Sequence, residues 1–382
     1  MLTAMPGRSS LARICVPVCI LEVDFSRTGP AGTADGRLGW AYNASSRGRS
    51  GDLAMQINRR EFVLGSTAVL AGLCFAPAAL ATGRTVEDIL EWQNLTEHTK
   101  AVINLAMGGN SMIVASAGET LVVDSKFPYL GPILFADAST AGMNVSMLNT
   151  HHHGDHTGGN SAFVGKGKTY AHPNAIGRIE SQIERYRQGA SAAVMQVSQN
   201  LKSSTRALEL AVEVAENAEN LEAKDFVPTE TVEHGSVIPV GGLSLTIHHF
   251  GAGHTDNDIV VHLESENLIH TGDLVFAGLH PFYDPTAGVT AKGWIKALDG
   301  ILALCDTDTT IVPGHGDVGG KEIIESMRSY HEHLIEAVKA EIAKGTAKED
   351  VEQMSWPFMD GLGFEQIKGR AISAVYDELS GD

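Results

Sequence analysis

The stretch NTHHHGDHTGG, residues 149–159, places four histidines and an aspartate in six positions directly after a short apolar segment. Where a strand ends, residues two apart can face one point, so the imidazoles of His151 and His153 can bind one metal ion. Asp155 and His156, one turn further along, can reach a second metal ion beside the first. Because imidazole nitrogen and carboxylate oxygen are common zinc ligands, the stretch indicates part of a metal site.

A single cluster cannot complete two coordination spheres, so further ligands must come from distant parts of the chain. Three polar residues follow apolar runs that predict strands: His254 in GAGHTDND, Asp273 in IHTGDLVF and His315 in IVPGHGD. Strand ends place such side chains along one edge of a sheet. His152 lies between two candidate ligands, and we expect its ring to point the other way.

These elements, in this order, resemble the metallo-β-lactamase superfamily: His-x-His-x-Asp-His after a strand, then GHT, GD and PGHG. A solvated histidine-rich loop would not explain the three later elements. The resemblance covers residues 100–335 and implies an α/β (α+β) fold, a four-layer αββα sandwich with the site at one edge between two sheets. It implies seven metal ligands: His151, His153 and His254 for a first ion, Asp155, His156 and His315 for a second, and Asp273 bridging the two.

The expected cofactor is two zinc ions per chain, although iron or manganese also accepts a mixed His/Asp ligand set. Two divalent ions roughly 3.5–4 Å apart can share a hydroxide formed at neutral pH, which attacks a carbonyl carbon. Asp155 can accept a hydrogen bond from this metal-bound hydroxide and orient it. The chain has no G-x-S-x-G element for a serine nucleophile. The predicted chemistry is therefore metal-dependent hydrolysis.

The remaining sequence pattern predicts sheets covered by helices. Residues 101–124 and 230–271 alternate as strands, and the apolar fraction of 43% is typical of a globular chain. Residues 175–222 carry apolar side chains at helical spacing and predict an insertion of two or three helices. A long amphipathic helix is predicted over 323–342. Strands, helices, strands and helices in this order predict two half-domains, each a sheet covered by helices.

The N-terminal part of the chain is unlike the rest. Residues 1–54 are rich in Gly, Ser and Arg without clear periodicity, and we interpret them as a disordered leader or an over-long gene start. Residues 55–81 resemble a twin-arginine export signal, with paired arginines, an uncharged apolar stretch and a final ALA. Cleavage there would leave a hydrolase domain of residues 82–382, delivered to the periplasm by the twin-arginine machinery.

Charge and cysteine content restrict the expected partners. The formal net charge is −18 and no Lys/Arg stripe is present, which disfavours nucleic acid and anionic membranes. Beyond residue 81 the only cysteine is Cys305, so no internal disulfide is expected. We expect a small-molecule substrate and no stable membrane association after signal cleavage. The oligomeric state and the role of the 175–222 helices are left open.

The loop after Asp273, FAGLHPFYDPTAG, follows a metal-bearing strand and is a candidate substrate wall. Within it, His280, Phe282 and Tyr283 are candidate substrate contacts, with core packing as the alternative for the aromatic rings.

Two further aspartates, Asp256 and Asp258, follow His254 and are candidates for orienting ligand imidazoles, with surface turns as the alternative.

The leading functional interpretation is a periplasmic β-lactamase, an enzyme of antibiotic resistance, because β-lactams act in that compartment. Asp273 points to an alternative, since a bridging aspartate is typical of glyoxalase II-like and lactonase-like members. Hydrolysis of a lactone, thioester or other ester would then be the main activity. A phosphodiesterase is disfavoured by the acidic charge. A diiron redox protein would be expected to carry a carboxylate residue in place of His153 and to include a flavin domain.

Overall fold

Two units divide the chain, residues 1–82 and 83–382. The computed structural model describes residues 12–16, 19–23, 90–103, 107–200 and 205–381. In the first unit, Ala12–Val16 (β1) pairs antiparallel with Cys19–Val23 (β2), inside the segment for which the sequence predicts a disordered leader. The predicted export signal lies outside the described residues.

The described part of the second unit contains two mixed sheets. The first sheet has seven strands in chain order: Trp92–Asn94 (β3), Thr99–Val102 (β4), Ser111–Ser116 (β5), Glu119–Val123 (β6), Asn144–Leu148 (β7), Thr169–Ala171 (β8) and Glu230–Thr231 (β9). The second has five: Val237–Val240 (β10), Leu243–His248 (β11), Val260–Leu263 (β12), Leu268–Phe276 (β13) and Thr310–His315 (β14). Pairing is antiparallel from β3 to β6 and from β10 to β13, and parallel from β6 to β9 and between β13 and β14.

Ten α-helices belong to the described part of this unit: Gly131–Ala141 (α1), Gly154–Thr157 (α2), Pro173–Glu180 (α3), Ile183–Ser191 (α4), Ala193–Asn200 (α5), Thr205–Asn217 (α6), Ala291–Leu302 (α7), Lys321–Lys344 (α8), Lys348–Val351 (α9) and Lys368–Ser380 (α10). The predicted insertion thus contains four helices, α3 to α6, where the sequence suggested two or three. No helix in the described ranges is both long and apolar enough to cross a lipid bilayer.

The helices and the two sheets form four layers, and apolar side chains fill the space between them. Along β6, Leu121 faces a cluster between the two sheets, whereas Val122 faces the cluster under α1, α5 and α6, as the two-residue period of a strand requires. A third cluster packs β13 against α7, α8 and α10 and includes Trp294 and Ile372. All nine residues of β13 are buried because helices cover one face of the strand and the other sheet covers the opposite face. The fold is therefore the αββα sandwich that the resemblance implies.

Candidate metal centre

The candidate ligands meet at one edge of the sandwich. The His-rich stretch begins three residues after β7, His254 precedes β12, Asp273 lies on β13 and His315 ends β14. Two glycines allow the close approach. A Cβ on Gly314 would lie 2.0 Å from Asp273 Oδ1, and one on Gly272, whose φ is +53°, would lie 2.7 Å from Thr150 Cβ. Side chains at either position would separate β13 from its neighbours.

The first group consists of His151, His153, His254 and Asp273, whose candidate ligand atoms lie within 4.8 Å of one another. The three imidazole centroids are 4.7–4.8 Å apart. Asp273 Oδ2 is 3.7 Å from His151 Nε2 and 3.8 Å from His254 Nε2. The structure therefore brings together the four residues that the resemblance assigns to a first ion and to the bridge.

The second group consists of Asp155, His156 and His315, again with candidate ligand atoms within 4.8 Å. Asp155 Oδ2 lies 3.2 Å from His315 Nε2 and 3.7 Å from His156 Nε2. Asp273 also contacts this group, because its Oδ1 is 3.1 Å from His156 Nε2 and its Oδ2 is 3.4 Å from His315 Nε2. The Asp273 carboxylate thus lies between the two groups.

Several ligand atoms in the centre are buried without a hydrogen-bond partner in the described part of the chain. They include His151 Nε2 and both ring nitrogens of His254, and both side chains are at most 1% exposed. Buried polar atoms in proteins nearly always have a partner, and a metal ion is one. Since the donor set combines imidazole nitrogen with carboxylate oxygen, the residues fit divalent metal ions of the zinc type.

The charges in the centre are strongly coupled. Burial opposes the charged form of His315, but Asp273 and Asp155 raise its pKa to about 9, and carboxylates likewise raise the pKa of His156. Burial lowers the pKa of His153 to about 4. The carboxylates are therefore balanced by protonated imidazoles in the metal-free protein. Those protons must leave when metal binds, so metal affinity should rise with pH.

His152 lies outside both groups. Its Nδ1 is 3.0 Å from the Asn257 side-chain nitrogen, and its Nε2 is 3.6 Å from Asp284 Oδ2. The same Asp284 oxygen is 3.1 Å from His153 Nε2. Asp284, which the sequence analysis did not identify, therefore contacts one candidate ligand and its neighbour, and with them it forms a third close set of metal-binding side chains.

Asp124 is a second functional residue that the sequence analysis missed. Its carboxylate is buried, with Oδ1 accepting a hydrogen bond from Thr150 N at 2.8 Å. Its Oδ2 accepts from Thr150 Oγ1 and lies 2.7 Å from His156 Nδ1. Asp124 thereby leaves His156 Nε2 to face the centre. Asp124 directly follows the apolar strand β6, and a polar residue after an apolar run is the pattern that identifies His254, Asp273 and His315 as candidate ligands. The same pattern therefore could have identified Asp124.

Lys126 is a third missed residue near the centre. Its ammonium group is buried and donates a hydrogen bond to Gly109 O at 2.5 Å. Burial lowers the pKa of Lys126 to about 7, although Asp155 and Asp124 favour its charged form.

The prediction that His280 and Tyr283 contact substrate is corrected by the structure. Both side chains are at most 1% exposed, because the loop turns them toward α8. His280 Nδ1 is 3.0 Å from Tyr330 Oη, and Tyr283 Oη is 2.8 Å from His331 Nδ1.

Phe282 differs from its two neighbours in the loop. It is half-buried, and its ring lies edge-on to His153 with 5.4 Å between centroids. Of the three candidate substrate contacts, Phe282 is therefore the one that lies against a candidate ligand.

The two aspartates after His254 have different roles. Asp258 is buried, and its Oδ1 lies 3.5 Å from His254 Nδ1 while accepting a hydrogen bond from the Thr255 hydroxyl. Asp256 instead forms an ion pair with Arg178 of α3 at 2.7 Å. Of these two aspartates, Asp258 is the one that lies beside a candidate ligand.

Comparisons with known proteins agree with this fold. The metallo-beta-lactamase superfamily matches residues 105–315, more than half of the chain. The metallo-beta-lactamase type 2 of Bacteroides fragilis is 29% identical over 111 residues, which are 29% of this chain and 45% of that protein. The match thus spans less than half the length of this relative. The chain belongs to the metallo-β-lactamase superfamily, whose members are metal-dependent hydrolases.

Comparison with solved structures gives matches at low sequence identity. A metallo-beta-lactamase from Pontibacter korlensis is 16% identical, with a TM-score of 0.45 over 64% of this chain and 99% of that chain. A stereoselective inverting sec-alkylsulfatase from a Pseudomonas species is 14% identical, with a TM-score of 0.54 over 75% of this chain and 50% of that one. At these identities the similarity concerns the fold alone.

Proposed function

We propose that this protein is a dinuclear zinc hydrolase that opens the cyclic amide of β-lactams. The observation that carries the dinuclear part of the proposal is the position of Asp273. Its Oδ1 is 3.1 Å from His156 Nε2 of one group, and its Oδ2 is 3.7 Å from His151 Nε2 of the other. A carboxylate between two donor groups suits a pair of divalent ions. The similarity to the Bacteroides fragilis metallo-beta-lactamase supports the choice of substrate class.

When bound, a pair of divalent ions supplies a nucleophilic water of lowered pKa and polarises a substrate carbonyl. The protein's part is to orient this water and to exclude bulk solvent. Asp155 is the most exposed of the seven ligands, with a side chain 26% exposed. Burial opposes its ionisation, but His156 and His315 hold the pKa of its carboxyl well below the usual range. The ionised Asp155 Oδ2 can therefore accept a hydrogen bond from the attacking water and orient it.

The other ligands exclude bulk water from the centre. His151, His156, His254, Asp273 and His315 are at most 5% exposed. A substrate consequently approaches from the side of His153 and Asp155, the two half-buried members.

A lactone, thioester or other ester hydrolase is the second candidate function. Asp273 favours this second function, because a bridging aspartate is typical of the glyoxalase II-like and lactonase-like members of the superfamily. The same orientation of the attacking water by Asp155 would serve an ester or thioester, whose alcohol or thiol leaving group needs protonation less than an amine does. The acidic charge disfavours a phosphodiesterase, and the His-rich ligand set disfavours a diiron redox protein.

The cellular setting is also a proposal. The twin-arginine-like segment at 55–81 supports export and cleavage after the final ALA, which would place a folded enzyme in the periplasm. Export of a reporter fused to residues 55–81 should be lost when both arginines are replaced by lysine. A reporter exported equally well by the changed signal would exclude this route.

The first experiment combines metal analysis with a substrate panel. Purified protein should contain close to two zinc ions per chain. It should hydrolyse benzylpenicillin or a carbapenem in a chelator-sensitive manner, and more rapidly than a lactone, a thioester or a phosphodiester. Iron in place of zinc would favour the redox interpretation. Absence of chelator-sensitive hydrolysis across the panel would refute the enzymatic proposal.

The second experiment replaces the bridging residue. Asp273→Asn should reduce bound metal to at most one ion per chain and reduce kcat/KM by at least about 100-fold, since a shared anionic ligand is lost. Asp308→Asn, at an exposed position, is the matched control and should change neither quantity. Full metal content and activity in Asp273→Asn would contradict the bridging role.

A further inference from the structure

Arg370, in the first turn of α10, is an exposed cation. No carboxylate of the described residues lies within 4.0 Å of its guanidinium group, whereas Arg178 and Arg328 each pair with an aspartate at 2.6–2.7 Å. Arg370 instead lies over the ring of Phe282, with 4.9 Å from Cζ to the ring centroid. An arginine placed on an aromatic face keeps its N–H donors available for another group.

Phe282 connects this cation with the metal centre. The Phe282 ring is 5.4 Å from the His153 ring and 6.5 Å from the His254 ring, measured between centroids. His153 is one of the two ligands on the accessible side of the centre. The guanidinium group of Arg370 is therefore one aromatic ring away from the position where a substrate approaches.

The segment before α10 is held against the same side of the centre. His280 N donates to Gly363 O at 2.9 Å, and Gly363 N donates to Gly278 O at 3.0 Å. Phe364, held at a φ of +63°, places its ring 5.7 Å from the His315 ring. A non-glycine residue in the left-handed region persists only where its surroundings hold it. The loop that carries Phe282 and the segment that leads to Arg370 thus form one wall.

We infer that Arg370 binds a carboxylate of the substrate beside the reacting carbonyl, with Phe282 packing against the adjoining apolar part. The inference rests on the proposed hydrolase function and narrows its substrates to carboxylate-bearing molecules. The whole chain carries a net charge of −18, so an anionic substrate needs a local cation to approach the centre. The neighbouring Lys368 does not serve, because its ammonium group pairs with Glu365 at 3.0 Å.

The experiment compares each substrate with its methyl ester, which keeps the shape and removes the charge. Arg370→Gln should lower kcat/KM for benzylpenicillin by about 10–100-fold, mainly through KM, because one charge-assisted hydrogen bond is lost. The methyl ester should change less than about twofold. Arg370→Lys should recover part of the loss. Lys368→Gln, in the same helical turn, is the control and should not alter the ratio of acid to ester.

An equal loss for acid and ester in Arg370→Gln, or no loss for either, would overturn the inference. Thermal unfolding of each variant identifies any loss that comes from misfolding.

A separate measurement covers the case in which no β-lactam is hydrolysed. Binding of benzylpenicillin and its methyl ester to the metal-depleted protein is then measured by saturation-transfer NMR, with wild type and Arg370→Gln. A preference of the wild type for the acid that disappears in the variant supports carboxylate binding even though the proposed activity has failed. An unchanged ratio of the two forms would reject it.

Discussion

Replacing Asp124 by asparagine tests whether a buried carboxylate orients the second group of ligands. In the protein, Asp124 Oδ2 lies 2.7 Å from His156 Nδ1 and accepts a hydrogen bond from Thr150 Oγ1, while Oδ1 accepts from Thr150 N. Since the Thr150 hydroxyl donates to Asp124, its oxygen is free to accept from His151 Nδ1, 3.0 Å away. The Nε2 atoms of His151 and His156 are then left for metal.

The expected loss follows from this geometry. An asparagine has one acceptor oxygen where Asp124 has two, so its NH2 group must face either Thr150 N–H or the pair formed by Thr150 Oγ1 and His156 Nδ1. At least one charge-assisted hydrogen bond is lost, which costs about 1.5–3 kcal/mol. Converted to an equilibrium constant, this is about 10–100-fold in metal affinity, the usual effect of removing a residue that orients a metal ligand.

The assay is a competitive zinc titration against a chromophoric chelator, which resolves the two binding steps. Asp124→Asn should weaken the step that involves His156 more than the other step, and activity should return at high zinc concentration. Asp308→Asn, at an exposed position, serves as the control. Wild-type affinity for both ions in Asp124→Asn, or an equal loss in the control, would refute the reasoning.

Two further predictions concern stability. A Cβ on Gly109 would lie 2.0–2.7 Å from the His156 ring, so Gly109→Ala should lower the free energy of unfolding by about 1–3 kcal/mol and release metal. Gly177→Ala, where the space for a Cβ is open, should instead raise the free energy of unfolding by about 0.5–1 kcal/mol. Urea unfolding measures both variants, and equal changes in the two would contradict the prediction. Burial lowers the pKa of His331 to about 3, so the folded state keeps this imidazole neutral while the unfolded chain binds a proton below about pH 6.5. The free energy of unfolding should therefore fall by about 1.4 kcal/mol per pH unit from pH 6.5 toward pH 3 because of this residue. In metal-free protein, His331→Gln should remove that part of the dependence of unfolding free energy on pH. Identical pH dependence in the two proteins would contradict the role given to His331.

The loop after β13 illustrates where local sequence reasoning failed. Its position beyond a metal-bearing strand predicts a substrate wall with three candidate contacts: His280, Phe282 and Tyr283. The structure turns His280 and Tyr283 inward, where Tyr330 and His331 of α8 provide hydrogen-bond partners, and of the three it leaves Phe282 toward His153. The direction of each side chain depends on a helix about 50 residues further along the chain, which the loop sequence does not contain.

The orienting and recognition residues were missed for a related reason. Asp124 follows an apolar strand and carries the same local signal as the ligands that were identified. Asp284 and Arg370 carry no such signal. Asp284 contacts His153 across 131 residues of sequence, and Arg370 contacts Phe282 only because α10 packs on the same side of the second sheet.

The sequence by itself determined the kind of chemistry. Spacing within residues 149–159 and the polar residues at three later strand ends specify a mixed imidazole and carboxylate set, because the two-residue period of strands and the turns that follow them are local properties. Only the tertiary structure decided that the Asp273 carboxylate lies between the two groups, and that Arg370 lies on the Phe282 ring beside His153. Those contacts join residues far apart in the chain, and they arise when two sheets and their covering helices pack around one edge.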